Sequence, residues 1–181
     1  MKTRLVIIVA LLNFVSFIAC PLSQSQDSIL NNTQTQVCFS PRGGCTEAIV
    51  SELNNAKSEI LVQAYSFTSK EISSAIVKAH KRGVHVEIIL DKSNRSKKYS
   101  AGDFTAHMGI PTYIDAAHAI AHNKIMIIDQ ETVITGSFNF TKAAEEKNAE
   151  NLLIIKSTDL AKLYIENWYK HKEHSEEYGG R

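Results

Sequence analysis

The chain has 181 residues, 44% of them hydrophobic and 22% charged, which supplies a packed core and excludes a disordered or fibrous protein. Its 20 Lys and Arg nearly balance 19 Asp and Glu, so there is no global basic field. Any polyanion must be held by a local patch.

The start, "MKTRLVIIVALLNFVSFIAC", sets Lys2 and Arg4 ahead of an uncharged run from Leu5 to Ala19. That is the layout of a secretory signal, and the run falls short of the roughly 20 residues of a membrane span. We expect a signal peptide over 1–25, cleaved for instance after Ser25, and a secreted or periplasmic protein. Lipoprotein processing at Cys20 or an uncleaved N-terminal membrane anchor is the alternative. Cleavage removes Lys2 and Arg4, leaving 18 basic against 19 acidic residues and moving the formal charge from +1 to −1.

A polar, flexible lead-in is expected over 26–35, one domain over 36–174 and a C-terminal tail over 175–181. "QVCFS" reads as a strand. Cys38 and Cys45, separated by the turn-forming "FSPRGG", are spaced for a disulfide, a closure worth about 2 to 3 kcal/mol in the chain-entropy model. No second Cys or His pair lies at ligand spacing beside them, which argues against zinc there. "CTEAIVSELNNAK" repeats apolar residues at helical spacing, and "EILVQAYSF" is a buried strand. Thr68 and Glu71 fit a capping box ahead of "ISSAIVKAHKR", whose helix Gly83 ends. "VHVEIIL" is the next strand. This alternation predicts an α/β domain with a mixed, largely parallel sheet flanked by helices on both faces.

"DKSNRSKKYS" leaves the carboxyl end of that strand carrying Lys92, Arg95, Lys97 and Lys98. Open α/β sheets present their ligand sites at that end, so these four are candidate contacts for an anionic substrate. A short helix over "AGDFTAHMG", a strand "IPTYI", two strands "AHNKIMIID" and "TVITG" around a turn, and a helical or irregular "FTKAAEEKN" follow. "AENLLIIK" is the last strand, and "STDLAKLYIENWYKHKEH" is an amphipathic helix with Leu160, Leu163, Tyr164 and Trp168 on its core side.

Side chains alternate across a strand, so His122 and Lys124 share a face while Asp129 has the opposite parity. Ser137 and Asn139 share a face in "GSFNF", and Glu150 opens its own strand. This set suits phosphodiester cleavage through a covalent intermediate. A neutral imidazole attacks phosphorus, a carboxylate on its other nitrogen fixes the tautomer, and Lys, Ser and Asn hold the developing charge without a metal. The leaving oxygen still needs a proton, and a second histidine would supply it.

At these residues the chain resembles the phospholipase D superfamily, whose signature His-x-Lys-x4-Asp-x6-Gly-Ser-x-Asn stands as His122, Lys124, Asp129, Gly136, Ser137 and Asn139. "AYSFT", "AHKRGVHVEIILD", "GSFNFTKAAEEKNAEN" and "ENWYKH" extend the likeness to its small single-motif bacterial nucleases over nearly all of 36–171. The resemblance implies a phospholipase D-like fold and a homodimer that pairs two copies of the motif. His122 is then the nucleophile and the partner's His122 the general acid, with a phosphohistidine intermediate. It further implies Lys124 and Asn139 on the phosphate, Ser137 in support and Glu150 orienting His122. Asp129 belongs to the motif's catalytic set, although parity places it behind the site.

The expected activity is therefore a metal-independent endonuclease acting on DNA, with RNA as a second substrate, and needing no cofactor. Two other readings remain: a phospholipase D-type lipid phosphodiesterase, and a DNA-capturing surface protein with secondary catalysis. His80, His85, His107, His118, His171 and His174 fit no ligand pattern. Among them only His118 stands near His122. Asp129, Glu131, Glu145 and Glu146 have no spacing typical of a metal loop.

Overall fold

The structure is a computed structural model and describes residues 33–96 and 100–181. The expected signal peptide, Cys20 and most of the lead-in lie outside the described residues, as do Lys97 and Lys98.

Eight strands form one open sheet in the order β1-β7-β6-β5-β2-β3-β4-β8. They are β1 (Gln34–Ser40), β2 (Glu59–Ala64), β3 (His85–Asp91), β4 (Thr112–Asp115), β5 (Lys124–Ile128), β6 (Thr132–Gly136), β7 (Glu150–Lys156) and β8 (Glu176–Glu177). The helices are α1 (Cys45–Asn55), α2 (Lys70–Lys81), α3 (Ala101–His107), α4 (Lys142–Glu146) and α5 (Thr158–Glu173). The domain is thus mixed α/β. Among the named strands parallel pairing is confined to β2, β3 and β4, where α2 and α3 supply crossovers, so antiparallel pairs outnumber parallel ones and the sheet is not the largely parallel one expected. The strands from β5 onward return antiparallel: a hairpin joins β5 to β6, and the connection that holds α4 brings β7 back beside β6. β1 does not join β2; it pairs antiparallel with β7 at the far edge.

The two faces are filled differently. Residues of β2, β3 and β5 with even numbers, such as Ile60, Val62, Ile88 and Met126, pack with Ile49, Leu53, Ile72 and Ile76 of α1 and α2. On the opposite face Leu61, Ile89, Ile125, Ile127 and Val133 meet Ala161 and Trp168 of α5. Period two in the strands and period 3.6 in the helices produce this layering. Fully burying one such aliphatic side chain contributes roughly 1.5 to 3 kcal/mol. Trp168 also satisfies its indole N–H on the Val62 carbonyl at 2.9 Å.

Several local devices differ from expectation. The N-cap of α2 is Ser69, whose Oγ accepts from Ile72 N at 3.3 Å and donates to Glu71 at 2.9 Å. Thr68 is one residue too early for that geometry. Glu145 lies at the start of α1, accepting from Gly44 N and Thr46 N at 3.0 and 2.8 Å. A carboxylate there is favoured by the helix dipole and by otherwise orphaned N–H groups. The tail is docked: β8 pairs with β4, and Tyr178 and Arg181 both hydrogen-bond Asp103.

Cys38 and Cys45 are both buried and stand as neighbouring free thiols in this structure, without the expected disulfide between them. Both thiols join the apolar layer beneath α1. Desolvation, reinforced by the neighbouring Cys38, pushes the Cys45 thiol up to about 12.

Candidate active site

The site opens where β5 begins. Tyr65 N donates to Asn123 O at 2.8 Å, extending the β2–β5 pairing one step beyond Lys124. His122 thus sits just ahead of the strand, exposed, while Lys124 is buried with 7% relative accessibility. The Lys124 Nζ stands 3.2 Å from His122 Nδ1 and donates to the His122 carbonyl at 2.8 Å. Burial pushes the lysine below its ordinary value, and the negative charge of Glu150 partly offsets this. The Tyr65 ring packs on the imidazole at 4.5 Å between centroids and lies 5.2 Å from Nζ.

Ser137 and Asn139 are delivered by the chain between β6 and α4. Phe138 and Phe140 are fully buried and anchor the segment, so the residues alternating with them are less buried. Ser137 N and Phe138 N both donate to Asn151 O at 3.1 Å, and Ser137 Oγ accepts from Asn151 N at 3.0 Å. Gly136 makes this approach possible. Its φ is +145°, and a Cβ there would stand 2.3 Å from Asn151 O. Asn139 Oδ1 is enclosed without a hydrogen-bond partner.

Glu150 opens β7 and is half-buried; its Oε1 accepts from Asn148 Nδ2 at 3.1 Å. Its charge acts on Lys124, but it makes no hydrogen bond to the His122 ring. A cleft of about 460 Å³ adjoins these groups, lined by His122, Lys124, Thr135, Gly136, Tyr164 and Asn167 among others.

Asp129 does not reach this group. It lies at the opposite end of β5, and five strand residues at about 3.3 Å each separate the two ends by roughly 16 Å. There it forms the β5–β6 turn with Gln130, at φ +53° and +57°, the pair of left-handed residues that a tight hairpin requires. Its carboxylate accepts from the backbone of Lys57, Ser58 and Glu59 and from Ser58 Oγ at 2.7 to 3.2 Å. Burial raises its pKa, but those donors outweigh it and leave the carboxyl below its ordinary range.

The basic loop begins with a 3-10 turn at Lys92–Arg95. Lys92 Nζ donates to His118 O at 2.9 Å, and Arg95 pairs with Glu176, so both have partners within the chain.

Two contributors carried no sequence signal strong enough to single them out. Tyr65 is one. Asp91 is another: its Oδ2 accepts from Ala121 N at 2.9 Å, immediately before His122, while Oδ1 accepts from Ser93 N at 2.8 Å. Away from the cleft, His118, His171 and His174 gather around Asp115, a meeting no sequence pattern signalled. Among the described residues no helix is long and apolar enough to cross a membrane.

A buried lysine beside an exposed imidazole, with a hydroxyl, an amide and a carboxylate on neighbouring strand ends of an open α/β sheet, is a set of groups for chemistry at a phosphodiester. Comparison with known proteins agrees. The model of the family "cardiolipin synthase, PLD-like domain" matches residues 49–171. The chain is 43% identical over 145 residues to a phospholipase D of Rickettsia conorii, covering 80% of this chain and 72% of that protein. The solved structure of Nuc, a phospholipase D family member from Salmonella typhimurium, is 40% identical with a TM-score of 0.78, over 81% of this chain and 98% of the other. NucT from Helicobacter pylori, at 24% identity, shares the fold with a TM-score of 0.72, over 81% and 99% of the two chains.

The chain belongs to the phospholipase D superfamily. It is a phosphodiesterase of the kind that superfamily comprises.

Proposed function

We propose that the chain is an exported, metal-independent endonuclease acting on DNA, with RNA as a second substrate, whose active site is completed by a second copy of itself. The observation that carries this reading is the pairing of His122 with buried Lys124 at the mouth of a cleft, in a sequence with one copy of the motif. The 40% identity to Nuc over 98% of that chain favours a nuclease. Export rests on the Lys2 and Arg4 layout ahead of Leu5 to Ala19.

In the resting site Lys124 donates to His122 Nδ1, which leaves the ring proton on Nε2. A phosphate entering the cleft competes for the ammonium and releases Nδ1. Nδ1 can then carry the ring proton toward Glu150, while the Nε2 lone pair attacks phosphorus. As the N–P bond forms, the P–O bond to one nucleoside breaks, and the partner's His122 as imidazolium gives that oxygen its proton. Water then attacks the phosphohistidine, its proton returning to the partner's His122. The products are one hydroxyl end and one phosphomonoester end. Lys124, Ser137 and Asn139 hold the non-bridging oxygens through both steps.

Support for the dimer comes from an apolar face that none of the described residues covers. α5 packs on β2, β4, β5 and β6. Beyond its reach on that face, Val37 and Phe39 of edge strand β1 are 50% and 68% exposed. A second chain seated there would lie beside the cleft.

The test is nicking of supercoiled plasmid by the mature protein in excess EDTA, run beside RNA and phosphatidylcholine. Nicking that His122→Ala abolishes is expected. Full dependence on added Mg²⁺ would overturn the mechanism. Cleavage of phosphatidylcholine alone would make the chain a lipid phosphodiesterase, the activity in the name of its Rickettsia relative.

A further inference from the structure

Four potential metal ligands converge away from the His122 cleft. Asp115 closes β4 and is fully buried; His118 follows three residues later, and His171 and His174 lie three apart at the end of α5. His171 Nδ1, His118 Nδ1 and His174 Nε2 stand 2.8, 2.9 and 3.3 Å from the same oxygen, Asp115 Oδ2. The three rings are 4.9 to 5.4 Å apart between centroids. Ala117 N holds the other carboxylate oxygen at 3.1 Å.

Hydrogen bonding alone serves this group poorly. All three ring nitrogens crowd Asp115 Oδ2, with His118 Nδ1 also 3.1 Å from Oδ1, and one oxygen cannot accept from three imidazoles in good geometry. A divalent cation resolves this crowding, because it takes one lone pair from each of four donors. Tetrahedral zinc at about 2.0 to 2.1 Å from each ligand needs donors roughly 3.4 Å apart. The four donor atoms already lie within 4.8 Å of one another. The histidine side chains, 16% to 46% exposed, have room to turn inward by the difference. Three imidazoles and one carboxylate suit zinc and its neighbours and do not suit the all-oxygen preference of Ca²⁺ or Mg²⁺.

We propose that Asp115, His118, His171 and His174 form a structural transition-metal site of the zinc class. With four protein ligands the coordination is closed, so the ion has no open position for catalysis. It would fasten the last turn of α5 to the segment that runs from β4 into His122. His118 is four residues from His122, and its carbonyl already receives Lys92 Nζ. The site does not rest on the nuclease reading, and it is separate from the chemistry at His122.

The full mature chain is stripped with a chelator, and Zn²⁺ is titrated back by calorimetry; Co²⁺ is titrated in parallel and followed by visible absorption. One ion per chain, an intense tetrahedral Co²⁺ band and a raised thermal midpoint are expected. His118→Ala and His174→Gln should each weaken Zn²⁺ binding roughly 100-fold or more with the far-ultraviolet circular dichroism unchanged. No stoichiometric binding, a weak octahedral Co²⁺ spectrum, or wild-type affinity in His118→Ala would overturn the site. The titration reads the metal alone, and a loss of nicking in EDTA that Zn²⁺ restores and Mg²⁺ does not would report this site and not the chemistry at His122.

Discussion

Asp91 Oδ2 accepts the backbone N–H of Ala121 at 2.9 Å, so a carboxylate at the end of β3 fixes the residue that precedes His122. A second oxygen of the same group holds Ser93 N at the start of the basic loop. Burial raises the pKa of Asp91, yet these hydrogen bonds outweigh it and keep it below its ordinary value, so the acceptor stays charged at neutral pH.

Asp91 is thus a positioning residue. Asp91→Ala leaves Ala121 N buried and unpaired, a cost of about 1 to 3 kcal/mol. We expect kcat on plasmid to fall roughly tenfold with KM little changed, as for a displaced nucleophile. Asp91→Asn, which keeps one acceptor oxygen, should fall between the two. Equal kcat per folded molecule in all three would show that the contact serves stability alone.

Lys124 should act on rate and hardly on folding. Lys124→Met removes the donor beside His122 Nδ1 and the charge over the phosphate, with an expected loss of about 10² to 10³ in kcat. The same change relieves a buried ammonium, so the thermal midpoint should hold or rise. A midpoint far below wild type would mean that the lysine is mainly structural.

Asp129 should behave in the opposite way. Asp129→Asn weakens charge-assisted bonds to Lys57, Ser58 and Glu59, and we expect a loss of about 2 kcal/mol with nicking per folded molecule intact. The folded pKa lies below the ordinary 3.8, so the stabilisation is complete above the unfolded value and is lost as pH falls through the folded one. Denaturant curves of the two proteins should therefore separate at pH 7 and converge in strong acid. A constant gap across that range would contradict the role.

Val37 and Phe39 test the dimer. Phe39→Asp places a charge on the exposed β1 face and should give a monomer by sedimentation that does not nick plasmid. Mixing wild type with His122→Ala should leave about a quarter of the dimers fully active on random exchange. Full activity in the monomer would remove the shared site.

Much of this was legible in the chain. Alternation in "HNKIMIID" placed His122 with Lys124 and set Asp129 apart from them, because a strand has a period of two whatever surrounds it. The Gly-Ser-x-Asn stretch could be read as a site because its phenylalanines alternate with the polar pair. The basic loop was legible as composition only. Its described cations turned out to be engaged by His118 and Glu176, contacts made by chain segments 26 and 81 residues away.

The sequence by itself determined most of the elements, the mixed α/β class and the candidate groups around His122, since these follow from local periodicity and short fixed spacings. Only the tertiary structure decided that β1 crosses to the far edge beside β7, that Cys38 and Cys45 are core thiols, and that Asp91 steadies His122. It alone gathered Asp115 and His118 with His171 and His174, more than fifty residues further on. No local pattern encodes such a meeting, because it is set by α5 burying Trp168 against β2 and so carrying its last turn to the end of β4.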